Sequence, residues 1–203
     1  WQQDLADLVK SGVDGADLYQ LNVFDGSDLN RDIANGKVPP AATTAMQGDM
    51  FEFGRTYLEA RAYRRLSAAH WSANNRERSL YNILAKAGVP MFPFGSGAGG
   101  NVDGYGMMLH RALKPYEDMV SRGEKPFMAL MKQSDLQPFV NQVVSQLEQG
   151  YLNINTLVAM DSRLDELNWL YKLWEKRGLV SYNGLLYKLT SAGEFWTVNI
   201  TQS

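Results

Sequence analysis

Between Phe92 and Asn101 the chain reads Phe-Pro-Phe-Gly-Ser-Gly-Ala-Gly-Gly-Asn, with glycines at 95, 97, 99 and 100. Glycine tolerates positive φ and lets a backbone come close to a bound molecule. Downstream, Asp103-Gly-Tyr-Gly leads into a second apolar run. The pattern is that of a strand, a ligand-facing loop and a second strand, with loop N–H groups left free for a carboxylate, ribose or phosphate. A loop kept tight for steric reasons alone gives the same composition, and a glycine run does not separate the two.

The 203 residues, 45% hydrophobic and 21% charged, suit one compact domain or one with a small appendage. A net charge of −2 supplies no general electrostatic attraction to nucleic acid or to an anionic membrane. The chain has no cysteine and two histidines, His70 and His110, which excludes a disulfide framework, zinc-finger spacing and thiolate-held clusters. No apolar run approaches the roughly 18 residues that span a bilayer, and no signal-peptide pattern is present, so a cytoplasmic setting is the default. Residues 4–10 are already helical in period directly after Trp1-Gln-Gln. That start reads as entry into the middle of a longer protein.

The opening helix ends at Gly12, and Ala16–Phe24 alternates as a strand. A helix followed by such a strand reads as one step of an α/β sheet, where ligands gather at the carboxyl ends of strands. Gln20 and Asn22 are therefore candidate site residues, with edge positions paired to backbone as the bland alternative. Thr43 or Thr44 caps a helix over about 45–60, and a second strand is expected over Arg64–Trp71, with His70 at its carboxyl end. Arg61, Arg64, Arg65, Arg76 and Arg78 either hold carboxylates by forked pairing or form a solvated surface. An apolar segment from Leu80 leads into the glycine loop. Tyr105–His110 reads as a strand, with His110 a structural residue at its end, and Lys114–Arg122 as a helix.

From about 133 the character changes. Leu136–Gln149 and Asp161–Arg177 are amphipathic helices, the second stopped by Gly178. Asn183-Gly184 marks a hairpin over Leu179–Leu189, and Thr190 opens a last helix. Helix, hairpin and helix make a winged-helix-like arrangement. Over 161–203 five basic residues (Arg163, Lys172, Lys176, Arg177, Lys188) match five acidic ones (Asp161, Asp165, Glu166, Glu175, Glu194). A duplex binder needs basic excess to displace counterions, so this wing is expected to pack against protein.

Several stretches together resemble one family: Asp14-Gly-Ala-Asp-Leu-Tyr-Gln-Leu-Asn-Val, Ala69-His-Trp, Phe94-Gly-Ser-Gly-Ala-Gly and Leu189-Thr-Ser-Ala-Gly-Glu-Phe-Trp-Thr-Val-Asn. In order and spacing they are similar to the carboxyl half of the HemN-like radical S-adenosylmethionine enzymes. The glycine loop with Asn101-Val-Asp-Gly-Tyr looks most like the haem-utilisation branch (HutW and ChuW, the anaerobilin synthases). The resemblance implies an α/β fold: a partial (β/α) barrel half over 1–132 and a helical, winged-helix-like domain over 133–203. It implies S-adenosylmethionine and a [4Fe–4S] cluster as cofactors of the full-length protein, haem or a related tetrapyrrole as substrate, and an electron donor such as flavodoxin. From the charge count, neither nucleic acid nor membrane is expected as a partner. The branch is understood to transfer methyl to haem, open the ring and release iron; an oxygen-independent coproporphyrinogen III oxidase-like enzyme and a non-catalytic haem chaperone of the same family are the alternatives.

Carried over singly, Asn22 matches a strand-end contact to S-adenosylmethionine, and Gly97, Ala98 and Gly99 match a stretch at a second such site. Tyr81 and Asn82 fall near an aromatic–polar pair of that second site at a different spacing. His70 matches the histidine of the oxidase's Asp-His-Phe stretch, here Ala69-His70-Trp71, and is the candidate catalytic residue or, in a chaperone, the axial ligand. The family's three-cysteine cluster loop has no counterpart in this cysteine-free sequence. After anaerobic reconstitution the 203-residue chain alone should therefore show no iron–sulfur absorbance. A brown product with about four irons per chain, the load of one cysteine-ligated cluster, would contradict the reading.

Overall fold

In the computed structural model, which describes residues 1–202, the chain forms two compact units. The first takes Trp1–Ser79, Glu148–Tyr151 and Trp169–Ser203; the second takes Leu80–Leu147 and Leu152–Asn168. Both mix helices with small sheets.

The first unit opens with the helix Gln2–Ser11, closed by Gly12 at φ 69°, whose N–H donates to the Val9 carbonyl. A longer helix, Thr44–Glu59, is capped by the Thr43 hydroxyl, which accepts from the Met46 N–H. Leu5 of the first helix and Leu58 of the second bury against Tyr63 and Trp71, and Leu8, Val9, Leu18 and Tyr57 pack around them. The sheet beside this core places His70–Ser72 between Gly15–Asp17 and Arg64–Arg65, both pairs antiparallel.

That sheet corrects two expectations. Regular strand covers Gly15–Asp17 and not Ala16–Phe24. Its partner is three residues long, so after the Leu18 N–H donates to the Ala69 carbonyl there is no ladder left to pair with. Tyr19, Leu21 and Phe24 run on irregularly with 76%, 57% and 71% of their surface exposed. The expected strand Arg64–Trp71 is a tight hairpin: the N–H groups of Leu66 and Ser67 both point to the His70 carbonyl, and the chain doubles back. His70 thus begins a strand instead of ending one, and the local step is antiparallel pairing, not a parallel crossover.

The carboxyl-terminal part of the first unit follows the sequence closely. The helix Asn168–Lys176 buries Tyr171 and Trp174, and Val180–Tyr182 pairs with Tyr187–Leu189 across Asn183-Gly184. Asn183 Oδ1 accepts from the N–H groups of Leu185 and Leu186, which closes the hairpin. Thr190 caps the helix Ser191–Phe195 through the Gly193 N–H, and Thr197–Gln202 ends the described chain. Gly193 has no room for a side chain, since a Cβ there would lie 1.9 Å from the Leu179 carbonyl oxygen. The expected single helix from Asp161 is a 3₁₀ stretch, Ser162–Leu167, followed by the α-helix; one apolar period runs through both.

The second unit is built on a three-stranded sheet in the order Gly99–Val102, Tyr105–Leu109, Phe127–Lys132. Asp103 (φ 51°) and Gly104 (φ 75°) make the two-residue turn of its first hairpin, both in the left-handed region that such turns require. The strand Phe127–Lys132, which the sequence pattern did not reveal, has a single neighbour in the sheet and exposes Met128, Leu130 and Met131. The unit also holds the helices Leu80–Lys86, Leu113–Ser121, Gln137–Glu148 and Ile154–Met160 and the 3₁₀ stretch Ser162–Leu167, with Leu147, Leu152 and Leu157 buried. No helix among the described residues is long and apolar enough to cross a membrane.

One charged group inside the first unit joins its three chain segments. The Arg65 side chain, 9% exposed, has Nη1 3.5 Å from Glu194 and Nη2 3.4 Å from the Thr197 hydroxyl. Burial lowers the Arg65 pKa against the pull of Glu194 and Glu148. Glu148 itself accepts from the Ala68 N–H, closing the loop beside Arg65. Burial likewise raises the Glu194 carboxyl above the ordinary glutamate range, more than Arg65 and Arg55 pull it down. A raised carboxyl favours the folded state below the unfolded glutamate value and loses that contribution as pH rises through the folded one. Replacement Glu194→Gln should therefore flatten the fall of stability with rising pH just above the ordinary glutamate range, measured by urea melts at a series of pH values. Replacement Arg65→Met, which strands a buried carboxylate, should cost about 3 kcal/mol at neutral pH.

Candidate functional site

The sequence candidates fall in both units, and the structure defines each group separately. In the first unit, the loop Ser72–Ser79 is fixed by its own polar side chains. The buried Ser72 hydroxyl donates to the Glu77 carbonyl at 3.2 Å, and Asn74 donates to Asp14 at 2.7 Å, as does Arg76 at 2.6 Å. The Asn74 hydrogen bond, seconded by Arg76, holds the Asp14 carboxyl below the usual range. These bonds bring Glu77 back over the strand, where its carboxylate accepts from the Ser79 N–H. That backbone bond first, and His70 after it, lower the Glu77 pKa.

His70 stands directly opposite Asp17 in the antiparallel register, the geometry that lets facing side chains meet. Its Nδ1 is 2.8 Å from Asp17, and its buried Nε2 lies 3.3 Å from Glu77, in ion-pair range but off the line of a hydrogen bond. Gly15 is part of this arrangement, because a Cβ there would stand 2.5 Å from Glu77 Cγ and 2.9 Å from the Trp71 carbonyl. Sequence reasoning singled out His70 but neither Gly15 nor the two carboxylates. Asp17 was discoverable only from a register, and Glu77 only from the folded loop.

On the opposite face of the same ladder a cavity of about 260 Å³ opens, lined chiefly by Trp1, Leu18, Gln20, Met50, Phe51 and Trp71. Gln20 is thus brought to an apolar pocket, and Trp1 fixes one wall by donating from its ring nitrogen to the Met50 carbonyl at 2.8 Å. The volume is below that of sites enclosing a drug-sized molecule, so the pocket has room for only part of such a molecule. Asn22 lies two residues farther on in the exposed irregular segment. His70 does not line this pocket.

In the second unit the glycine run divides by physical role. Gly97, at φ 75°, donates its N–H to the His110 carbonyl at 2.8 Å, and the Ala98 N–H donates to the Gly95 carbonyl at 3.2 Å. These two N–H groups are therefore occupied, contrary to the expectation that the loop leaves them free. Space remains over Gly95, where a Cβ would meet nothing within 4 Å, and over Gly99, where its nearest neighbour would be 3.8 Å away. Gly100 is the steric one, with a Cβ 2.4 Å from the Met91 carbonyl oxygen. Phe92 and Phe94 are 63% and 84% exposed around a buried Pro93, so the expected buried strand before the loop is an irregular, outward-facing segment. Tyr81 is exposed on the helix Leu80–Lys86, and Asn82 is half-buried on the same helix. His110 is held structurally, its N–H on the Pro126 carbonyl.

Four of the five arginines have partners: Arg61 stacks over Tyr57 at 3.4 Å, Arg64 donates to Asn75, and Arg65 and Arg76 meet carboxylates, while Arg78 is exposed. Among the described residues no group of three His, Asp or Glu side chains could hold a metal ion. With no thiolate either, the residues of this chain do not fit an iron–sulfur cluster.

No protein-family model matches the chain. Its sequence is 33% identical over 204 residues to anaerobilin synthase from Escherichia coli O157:H7, a match covering 100% of this chain and 45% of that protein. Its fold superposes on coproporphyrinogen III oxidase (HemN) from Escherichia coli, described as a radical SAM enzyme, with a TM-score of 0.68 at 13% identity. That superposition covers 98% of this chain and 49% of the other. The chain spans about half the length of both, and the expected α/β fold and the resemblance to HemN-like proteins are borne out. The division of the glycine run has a direct check by denaturant melts. Replacement Gly100→Ala should cost roughly 3 kcal/mol through backbone overlap. Gly95→Ala should cost only the left-handed strain of about 1 kcal/mol.

Proposed function

We propose that this chain, whose sequence and fold are of the HemN-like radical S-adenosylmethionine kind, is the carboxyl-terminal half of a haem-utilisation enzyme. The observation that carries the proposal is the 33% identity to anaerobilin synthase, sustained over the whole chain. The whole protein would use S-adenosylmethionine, cleaved reductively at a [4Fe–4S] cluster held outside this chain, to methylate haem, open the macrocycle and release iron in the cytoplasm. A small electron carrier such as flavodoxin would supply the reducing electrons. Residues 133–203 are read as the winged-helix-like domain that closes the fold by packing and not by contacting nucleic acid.

Within that reading the residues of this chain bind and orient. Gln20 and Asn22 offer amide groups in the irregular segment after the strand Gly15–Asp17, and the aromatic pocket beside Gln20 takes one edge of a flat ligand while excluding water. In the second unit, taken by itself, Tyr81, Asn82 and the stretch Gly97–Ala98–Gly99 are the residues proposed to contact a second S-adenosylmethionine, with the space over Gly99 open to close approach. A chaperone using His70 as axial iron ligand is disfavoured by geometry, since both ring nitrogens face carboxylates and Nε2 is buried. Oxidase chemistry is disfavoured by Ala69 standing where that enzyme has aspartate before the histidine.

The test is anaerobic turnover by the full-length, cluster-loaded protein with reductant and S-adenosylmethionine. Haem should be consumed and iron released, with no decarboxylation of coproporphyrinogen III. Intact haem in a cluster-loaded, S-adenosylmethionine-cleaving preparation would refute the assignment. In the same protein Gly97→Val should weaken S-adenosylmethionine binding tenfold or more, about 1.4 kcal/mol, on top of a stability loss of about 1–3 kcal/mol from a branched side chain at φ 75°.

A further inference from the structure

Asp17, His70 and Glu77 are joined across the two faces of a problem that the pocket poses: its walls come from chain segments with very little ladder between them. The pairing of Gly15–Asp17 with His70–Ser72 comprises three residue pairs, and Asp17↔His70 is the last of them before the chains diverge. Successive strand residues point to opposite faces. The side chains of Leu18 and Trp71, each next to one member of that last pair, therefore stand on the other face, where both line the apolar pocket. The backbone bond from Leu18 to the Ala69 carbonyl is the final link between them. A ladder this short cannot fix a spacing by backbone bonds alone, and Tyr19 and Leu21 beyond it have no sheet partner.

We infer that Asp17, His70 and Glu77 act together as a positioning strap for the pocket, setting the distance between its Leu18 and Trp71 walls. Asp17 reaches one ring nitrogen from the strand end directly before Leu18, and Glu77 faces the other from the loop beyond Trp71. The imidazole, only 12% exposed, is clamped between them, and Glu77 is pressed down by the fit over Gly15. Three otherwise separate pieces of chain are thereby tied at the end of the ladder where the pocket begins. None of the three residues lines the cavity, so the strap acts through Leu18 and Trp71 and not by touching a ligand. The inference rests on the reading that this pocket takes the edge of a flat apolar ligand and assigns the residues that set its fit.

The experiment uses the full-length protein and two probes, 8-anilinonaphthalene-1-sulfonate for the apolar pocket itself and haemin for the proposed substrate. Asp17→Asn and His70→Gln should each weaken binding of the naphthalene probe at least fivefold, and the double variant should be no weaker than the worse single one, the signature of one coupled unit. Val180→Ala, a buried change at a residue that does not line the pocket, is the control for loss of stability in general. At a matched fall in thermal midpoint it should leave probe affinity within twofold of wild type. Equal effects of Val180→Ala and the strap variants, unchanged affinity in the strap variants, additive losses, or no probe binding by the wild type would each overturn the strap. If His70→Gln fails to fold, Asp17→Asn and Glu77→Gln carry the same comparison. Probe binding with the expected losses but no haemin binding would uphold the strap and refute the haem reading of the pocket.

Discussion

A guanidinium taken out of water is the constraint on which the first unit depends. Arg65 belongs to a two-residue strand with little packing of its own, yet its side chain is nearly covered. Covering it requires compensating charge, because a buried cation without partners would cost several kcal/mol. The compensation comes from distant sequence: Glu148 at the end of a helix, and Glu194 and Thr197 in the last two helices. Gly150, at φ 87°, passes so near that a Cβ would lie 3.4 Å from the guanidinium. The chain leaves the first unit after Ser79, returns at Glu148 and again at Trp169, and both returns bring carboxylates to this one cation. Desolvation, which moves Arg65 and Glu194 toward their neutral forms, shows that the arrangement secures connectivity at some electrostatic expense.

Much of the helical and hairpin structure was legible because its signals are local. Thr43 and Thr190 cap helices as hydroxyls do, Gly12 closes one in the left-handed conformation, and Asn183-Gly184 turns the late hairpin. The strand expectations failed where the signal is not local. Alternation over Ala16–Phe24 is real, but a strand exists only as far as its partner, and His70–Ser72 is short. Likewise Arg64–Trp71 has the composition of one strand and folds as two, since nothing in the residue types announces that Leu66 and Ser67 bond to His70. The strand Phe127–Lys132 was missed because three of its residues face outward without alternating with polar ones.

The candidate site was legible in part for the same reason. The glycine run was visible in composition, but the separate duties of its members were not. Gly100 and Gly193 are excluded from carrying a side chain by carbonyl oxygens of other segments, while Gly95 stands open. Gln20 reached a pocket, whereas Asn22, chosen by the same argument, lies exposed. His70 drew notice as a rare residue type; its two carboxylate neighbours are common residues whose meaning depends on register and loop closure. Chemistry that depends on a residue type can be read early, and chemistry that depends on who stands opposite cannot.

The outer strand Phe127–Lys132 has a chemical consequence for anyone handling the protein. Met128 and Met131 are 47% and 68% exposed on a sheet edge with one neighbour. Peroxide converts such thioethers to sulfoxides, which are polar and chiral, and only dedicated reductases reverse the change. An edge that begins apolar and adhesive would become hydrated, altering its tendency to pair with other strands. Met46 and Met160 are exposed to a similar degree, so the oxidation history of this edge is read by peptide mass mapping, as added oxygen on the peptide that holds Met128 and Met131.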